Sequence, residues 1–322
     1  MGMTTRTQIP KEVSVFYNRT MLLRAVPAFV HNRFAQVRDI PANSGSNVIK
    51  FRVYGALTAQ TTALTEGVTP TGKQLSVTDS EATVQYYGDY VTLTDVVLTE
   101  TIDPVLTEAA EVLGEQAGAS VDALARDVLA ASTNIQWAST ATQDSQVTSA
   151  MIINRSEVKQ AVRNLRGNNA RPVTSMINAS TGWNTVPVGK SFIGIVSEDT
   201  AYDLDDAAGF IPVEKYPNKS TVMEDEIGSL ANVRFIMTTN AKVAAGAGDN
   251  SIDVHYTLIF GKEAYAQTRI SGKTLMNIVK PLGSAGTADP LNQRSTSGWK
   301  LSYVAKILNQ GFLVVLRHAV SA

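Results

Sequence analysis

The run at residues 103–132 limits what this chain can be, because it reads as one long helix in a sequence that otherwise reads as strand and loop. Asp103 is placed to cap it. Pro104 takes the first helical position, where a missing N–H costs nothing. Glu108, Glu111 and Glu115 favour the positive end of the helix dipole. Leu106, Ala110, Leu113, Ala117, Val121, Leu124, Val128 and Ala131 recur at spacings of three and four, which puts them on one face. At 1.5 Å per residue the helix spans roughly 43 Å, where globular helices average about 11–12 residues. Gly114 and Gly118 interrupt it on one side, each at a cost of about 1 kcal/mol in helix propensity. Either a strand or an arm crosses closely there, or the glycines soften the helix so that it bends. The architecture to explain is one long helix lying across sheet.

The 322 residues are 44% hydrophobic and 18% charged, enough for two domains or one elaborated domain with a core. No Cys is present, which excludes disulfides, a thiol nucleophile and Cys-based metal sites. His31, His255 and His318 are the only histidines and are far apart in the sequence, so few candidates exist for catalysis. His31 follows an apolar arm and reads as a packed or surface residue, not a ligand. No apolar run approaches the ~20 residues of a membrane span, and the N-terminus lacks the apolar core of a signal peptide. These features point to a protein made in a cytoplasm.

The net charge of −1 hides a segregation. Residues 1–52 carry eight basic residues, among them Arg19, Arg24 and Arg33, against Glu12 and Asp39, a net +6. Residues 53–134 carry twelve acidic residues against Lys73 and Arg126, a net −10. Attraction between these segments, or between copies of the chain, is expected.

Residues 1–45 mix short apolar pieces with arginines, and an amphipathic helix over 13–26 would end at Pro27. Residues 48–54 alternate as a strand, with Lys50 and Arg52 opposite Ile49, Phe51 and Val53. Residues 67–74 form a turn or loop tip. Strand resumes over 75–95, where the apolar parity switches from even to odd positions around Gly88-Asp89, which predicts a β-bulge there. Residues 46–92 therefore make a long two-stranded excursion with little apolar surface of its own. Residues 133–155 read as a loop or short hairpin, and 156–166 as a short helix capped by Ser156. Strands are expected at 192–196, 232–238, 254–260 and 275–279, and a short helix over 199–208. The pair 299–308 and 312–317 is expected to close as a hairpin over Asn309-Gln310-Gly311.

Two segments approach the phosphate-loop pattern and fail it. Gly67 to Lys73 has the GxxxxGK spacing, but Gln74 replaces the hydroxyl that would hold Mg²⁺, and a strand follows where a helix must. Gly189-Lys190-Ser191 has Asn184 in place of the first Gly. No GxSxG, HExxH or EF-hand spacing occurs, so no catalytic residue, metal site or cofactor is expected.

The order of parts, together with residues 9–41, 64–78 (LTEGVTPTGKQLSVT), 87–95 (YGDYVTLTD), 103–118 and 280–300, resembles the major capsid proteins of tailed bacteriophages. Their shell fold, of the Hong Kong phage type, is shared with encapsulin compartments. The resemblance implies an α+β fold in four parts. These are an N-terminal arm (1–45), an extended β-hairpin loop (46–92), a peripheral domain with a spine helix at 104–132 (93–155 and 265–322) and an axial domain (156–264). It implies no enzyme, but a subunit that self-assembles as hexamers and pentamers into an icosahedral shell around double-stranded DNA, touching the DNA at most non-specifically. An encapsulin-type compartment is the alternative. Subunit contacts are expected at Arg19, Arg24 and Arg33 of the arm, at Gly67, Thr69, Pro70, Gly72 and Lys73 of the loop tip, and at Gly114 and Gly118 of the spine. Further implied partners are a separate scaffolding protein, a portal and a decoration protein, with no membrane. The implied location is the virion, assembled in the host cytoplasm.

Overall fold

The computed structural model describes residues 30–42, 45–55, 57–100, 105–178, 185–272 and 274–321. The helix expected over 13–26, the cap at Asp103-Pro104, and Arg19 and Arg24 lie outside them. In chain order the elements begin with β1 (Gln36–Ile40), β2 (Val48–Tyr54), β3 (Val77–Thr83), β4 (Gln85–Thr94), α1 (Asp95–Glu100) and α2 (Val105–Ala130). There follow β5 (Ile135–Trp137), α3 (Arg155–Gly167), β6 (Phe192–Val196), α4 (Glu198–Asp205), β7 (Ile211–Pro212), β8 (Glu226–Leu230) and β9 (Val233–Met237). The chain ends with β10 (Val243–Ala244), β11 (Val254–Phe260), β12 (Tyr265–Ile270), β13 (Met276–Lys280), β14 (Arg294–Ile307) and β15 (Leu313–His318).

The spine helix α2 covers a five-stranded sheet of order β1-β12-β14-β13, with β4 also paired to β14. Leu113, Ala117, Val121 and Ala125, spaced by one helical turn, meet Trp299, Leu301, Tyr303 and Ala305, the alternate residues of one face of β14. Large side chains on the strand fit against alanines on the helix, so the two backbones approach closely. Each large side chain buried this way contributes about 1.5–3 kcal/mol.

The second sheet has eight strands in the order β5-β15-β11-β6-β9-β8-β7, with β10 on β11. Its central strands are apolar at nearly every position because both faces are covered. On one face lie Val158, Ala161, Val162 and Leu165 of α3 and Leu204 of α4. On the other, Leu129 near the end of α2 joins Ile193, Ile195, Leu258 and Val315, together with Tyr265 and Ile307 of the first sheet. That cluster fastens the two sheets to each other. The boundary anticipated between residues 264 and 265 falls where the chain passes from the larger sheet to the smaller, yet β5 and β15 both join the larger one.

Several sequence expectations are corrected. No bulge occurs at Gly88-Asp89, since β4 pairs with β14 in unbroken register from Arg294↔Thr94 to Tyr303↔Gln85. The parity switch has another cause. At Val84 the chain leaves its ladder with β2 for the ladder with β14, so Ala82 and Val84 are buried on one side of the step and Tyr87 and Leu93 face inward beyond it. The closing hairpin is absent too, because β14 and β15 belong to different sheets. The alternating pattern of β14 suits a sheet covered by one helix, whereas Leu313, Val314, Val315 and Leu316 are all fully buried and suit the middle of a sheet covered on both faces. Residues 135–137 form a strand parallel to β15, not a loop or hairpin. Helix α3 is capped by Asn154, whose side chain accepts from the Ser156 and Glu157 amides, and not by Ser156.

Gly298 faces β4 so closely that a Cβ there would lie 2.6 Å from Tyr90 Cβ and 2.8 Å from the Asp89 carbonyl. Gly298→Ala is therefore expected to push the two strands apart and destabilise the chain by about 1–3 kcal/mol. A lowered thermal unfolding midpoint checks it, and an unchanged midpoint contradicts it.

Candidate assembly surfaces

The extended loop is a two-stranded ladder, β2 against β3, continued by an open tip. Register places Lys50 opposite Glu81 and Arg52 opposite Asp79, with ion pairs of 2.5 and 2.9 Å. Part of the charge segregation thus closes within the chain, and the hydrogen bond from Arg52 holds the Asp79 carboxyl below its ordinary range. Past the ladder, Gly55 N–H donates to the Ser76 carbonyl, and Lys73 Nζ donates to Thr58 O (2.6 Å) and to its hydroxyl (3.1 Å). Gly67 turns the chain at φ +77°. Every described residue from 52 to 79 is exposed, including Val53, Tyr54, Leu57, Leu64, Val68, Leu75 and Val77, and Leu64 is 73% exposed. Thr69, Pro70 and Gly72 lie in this tip without regular structure, and no helix follows Lys73 to build an anion site. Ser191 Oγ donates back to the Gly189 carbonyl and leads into β6, so the second phosphate-loop near-match is a turn.

The end of the arm is tied to the spine by a buried polar cluster. The His31 amide and ring Nδ1 each lie 2.7 Å from a carboxylate oxygen of Asp122, which also accepts from Asn240 Nδ2 at 3.1 Å. The Tyr265 hydroxyl donates to the His31 carbonyl, and the Tyr303 hydroxyl meets Asn32 Oδ1. Burial pushes both phenols above their ordinary value. His31 is therefore packed and paired. Gly114 and Gly118 are buried on the stripe that continues to Asp122. Arg33 reaches the backbone carbonyl and carboxylate of Glu224 within the same chain.

His255 and His318, remote in sequence, are register partners across β11 and β15, with ring centroids 6.4 Å apart. Ser197 Oγ lies 2.9 Å from His255 Nδ1 but caps α4, accepting from the Thr200 amide, and no carboxylate hydrogen-bonds His255 among the described residues. The geometry is a helix cap, not a nucleophile relay. His318 is enclosed between Thr257 and the Ala319 carbonyl.

No family model matches this sequence, and no curated protein matches it. Solved structures do. The capsid of Ralstonia phage GP4 is similar at 12% identity and a TM-score of 0.68, over 89% of this chain and 87% of that one. The cyanophage Pam1 capsid is similar at 13% identity and 0.64, over 93% and 92%. The chain has the phage capsid fold. A virus-like particle from Pyrococcus furiosus, 12% identical, is similar at 0.50 over 95% and 99%. At these identities the capsid fold is held by pattern and not by shared residues. Sequence reading found the long helix and the strand β2 but missed the Asp122 cluster, although Asp122 is a carboxylate on an otherwise apolar face.

Two outcomes are expected. Asp122→Ala removes the acceptor shared by His31 and Asn240 and should cost about 3–5 kcal/mol, as for a buried pair losing one partner. Urea unfolding measures it, and a loss below 1 kcal/mol contradicts it. Stability should also fall in acid. Burial lowers the pKa of His318 to about 4 and also lowers that of His255, which Asp199, Asp253 and Asp203 partly oppose. The folded state favours the neutral rings, so stability is complete above about pH 6.5 and is lost as the pH falls toward 4, by about 3 kcal/mol for His318. NMR titration should find the His318 ring neutral down to about pH 5.

Proposed function

We propose that the chain is the shell subunit of a tailed-phage capsid, assembling with copies of itself as hexamers and pentamers around double-stranded DNA. The observation that carries this is the extended loop. It exposes seven large apolar side chains and has no core of its own, so neighbouring copies supply the cover. The likeness to phage capsids supports the reading. In it, residues 1–45 are the arm, 46–92 the loop, 93–155 and 265–322 the peripheral domain and 156–264 the axial domain. Gly67, Thr69, Pro70, Gly72 and Lys73 touch the next copy. Arg19, Arg24 and Arg33 lie at further subunit contacts, whereas Gly114 and Gly118 are buried within the chain. The role is structural and not enzymatic. Scaffolding, portal and decoration proteins are separate partners, and assembly in the host cytoplasm yields the virion shell. A compartment of the kind seen in Pyrococcus furiosus is the second reading, favoured by the length of that match but at a lower structural similarity.

Electron microscopy of the purified protein should show closed shells or capsomer rings. Deleting residues 60–74 should leave soluble subunits that form neither, and normal shells from that deletion would overturn the reading.

A further inference from the structure

Helix α3 presents Arg155, Lys159, Arg163 and Arg166 to solvent. At 3.6 residues per turn these four lie within an arc of about 80° and along roughly 17 Å of helix. Among the described residues none of the four side chains has an ion-pair partner, and their one side-chain hydrogen bond there runs from Arg155 to the Ala208 carbonyl. The opposite face of the helix is the apolar row fixed to the larger sheet, so the cationic row has a rigid base.

Two open grooves flank this row. One, of about 990 Å³, is lined by Lys159, Arg163, Gln160, Asn164, Asn168 and Ser139 among others. The other, of about 640 Å³, is lined by all four cations and Asn232. No carboxylate lines either groove. This surface also lacks the large exposed apolar side chains that are found on the extended loop, α1 and β4. A contact between protein copies builds on an apolar centre. Cations interleaved with amides and hydroxyls, without such a centre, match a sugar–phosphate backbone.

We propose that the exposed face of α3 is a sequence-independent contact for the backbone of double-stranded DNA, a reading that rests on the shell function and assigns this face to the enclosed genome. One strand places a phosphate every 3.4 Å along the duplex axis, so the row spans about five phosphates with four cations. Contacts of this kind hold DNA without reading its bases, which suits a surface repeated over a whole shell.

The test is fluorescence anisotropy of a labelled 30-base-pair duplex with the purified full chain. Two duplexes of unrelated sequence should bind equally. Their affinity should fall with salt at a slope near −3.6 for four phosphate contacts, roughly 100-fold between 50 and 200 mM. The double variant Lys159→Gln, Arg163→Gln should weaken binding at least 10-fold at 50 mM salt and bring the slope to about −1.8, while Lys215→Gln, Lys219→Gln should change neither. Lys159→Arg should retain binding. Unchanged binding in the α3 double variant, or no binding by the unaltered protein, overturns the proposal. Electron microscopy without nucleic acid runs in parallel. Failure of the α3 variant alone to assemble would identify the face as a contact between copies and overturn the proposal. Failure of the unaltered protein to assemble counts against the shell function, and the anisotropy still decides whether the face binds DNA.

Discussion

One helix has to serve two sheets. Along most of its length α2 lies on the smaller sheet through alanines that let the aromatic face of β14 approach, and near its end Leu129 enters the core of the larger one. A long helix is the stiffest element a chain of this size can build, since each peptide is held by its own ladder of hydrogen bonds. The relative placement of the two sheets is therefore set by the helix and the single shared cluster, not by the strands. The Asp122 cluster adds direction. By accepting from His31 and Asn240 together, one carboxylate fixes the incoming arm and a loop of the larger sheet to the same turn of the helix.

The extended loop obeys the opposite rule. Its ladder is held by backbone hydrogen bonds and by charge pairs in full contact with water, which contribute little. Its large apolar side chains from Val53 to Val77 face outward. The chain thus divides into a part that is stable by its own packing and a part that the single chain leaves without a packed cover.

What was legible in the sequence follows this division. The spine helix, β2, β6 and β11 were readable because their patterns are local: helical spacing, alternation, or a continuous apolar run. Apart from the cap of α3, which sits two residues before the Ser156 that was read as the cap, the failures concern partners. The sequence around Gly88 carried a real change of parity, but whether it marked a bulge or a change of partner depended on residues some two hundred positions away. Strand β8 has Glu226 and Gly228 among its five residues and gives no strand signal. It is held because Glu226 is buried against Arg234 and Tyr216, a pairing only the fold creates. His255 and His318 looked unrelated for the same reason.

The position of β15 has a consequence for how the chain comes into being. This strand lies inside the larger sheet, between β5 and β11, yet in the sequence it comes after every other strand of that sheet. Until residue 318 is made, β11 lacks its longest neighbour and the apolar face of α3 lacks Val314 and Leu316 to rest on. The larger sheet is consequently completed only once this strand is available, and its pairing with β5 closes a long loop. The order of the strands thus makes β15 the closing piece of the core that β11 and α3 share.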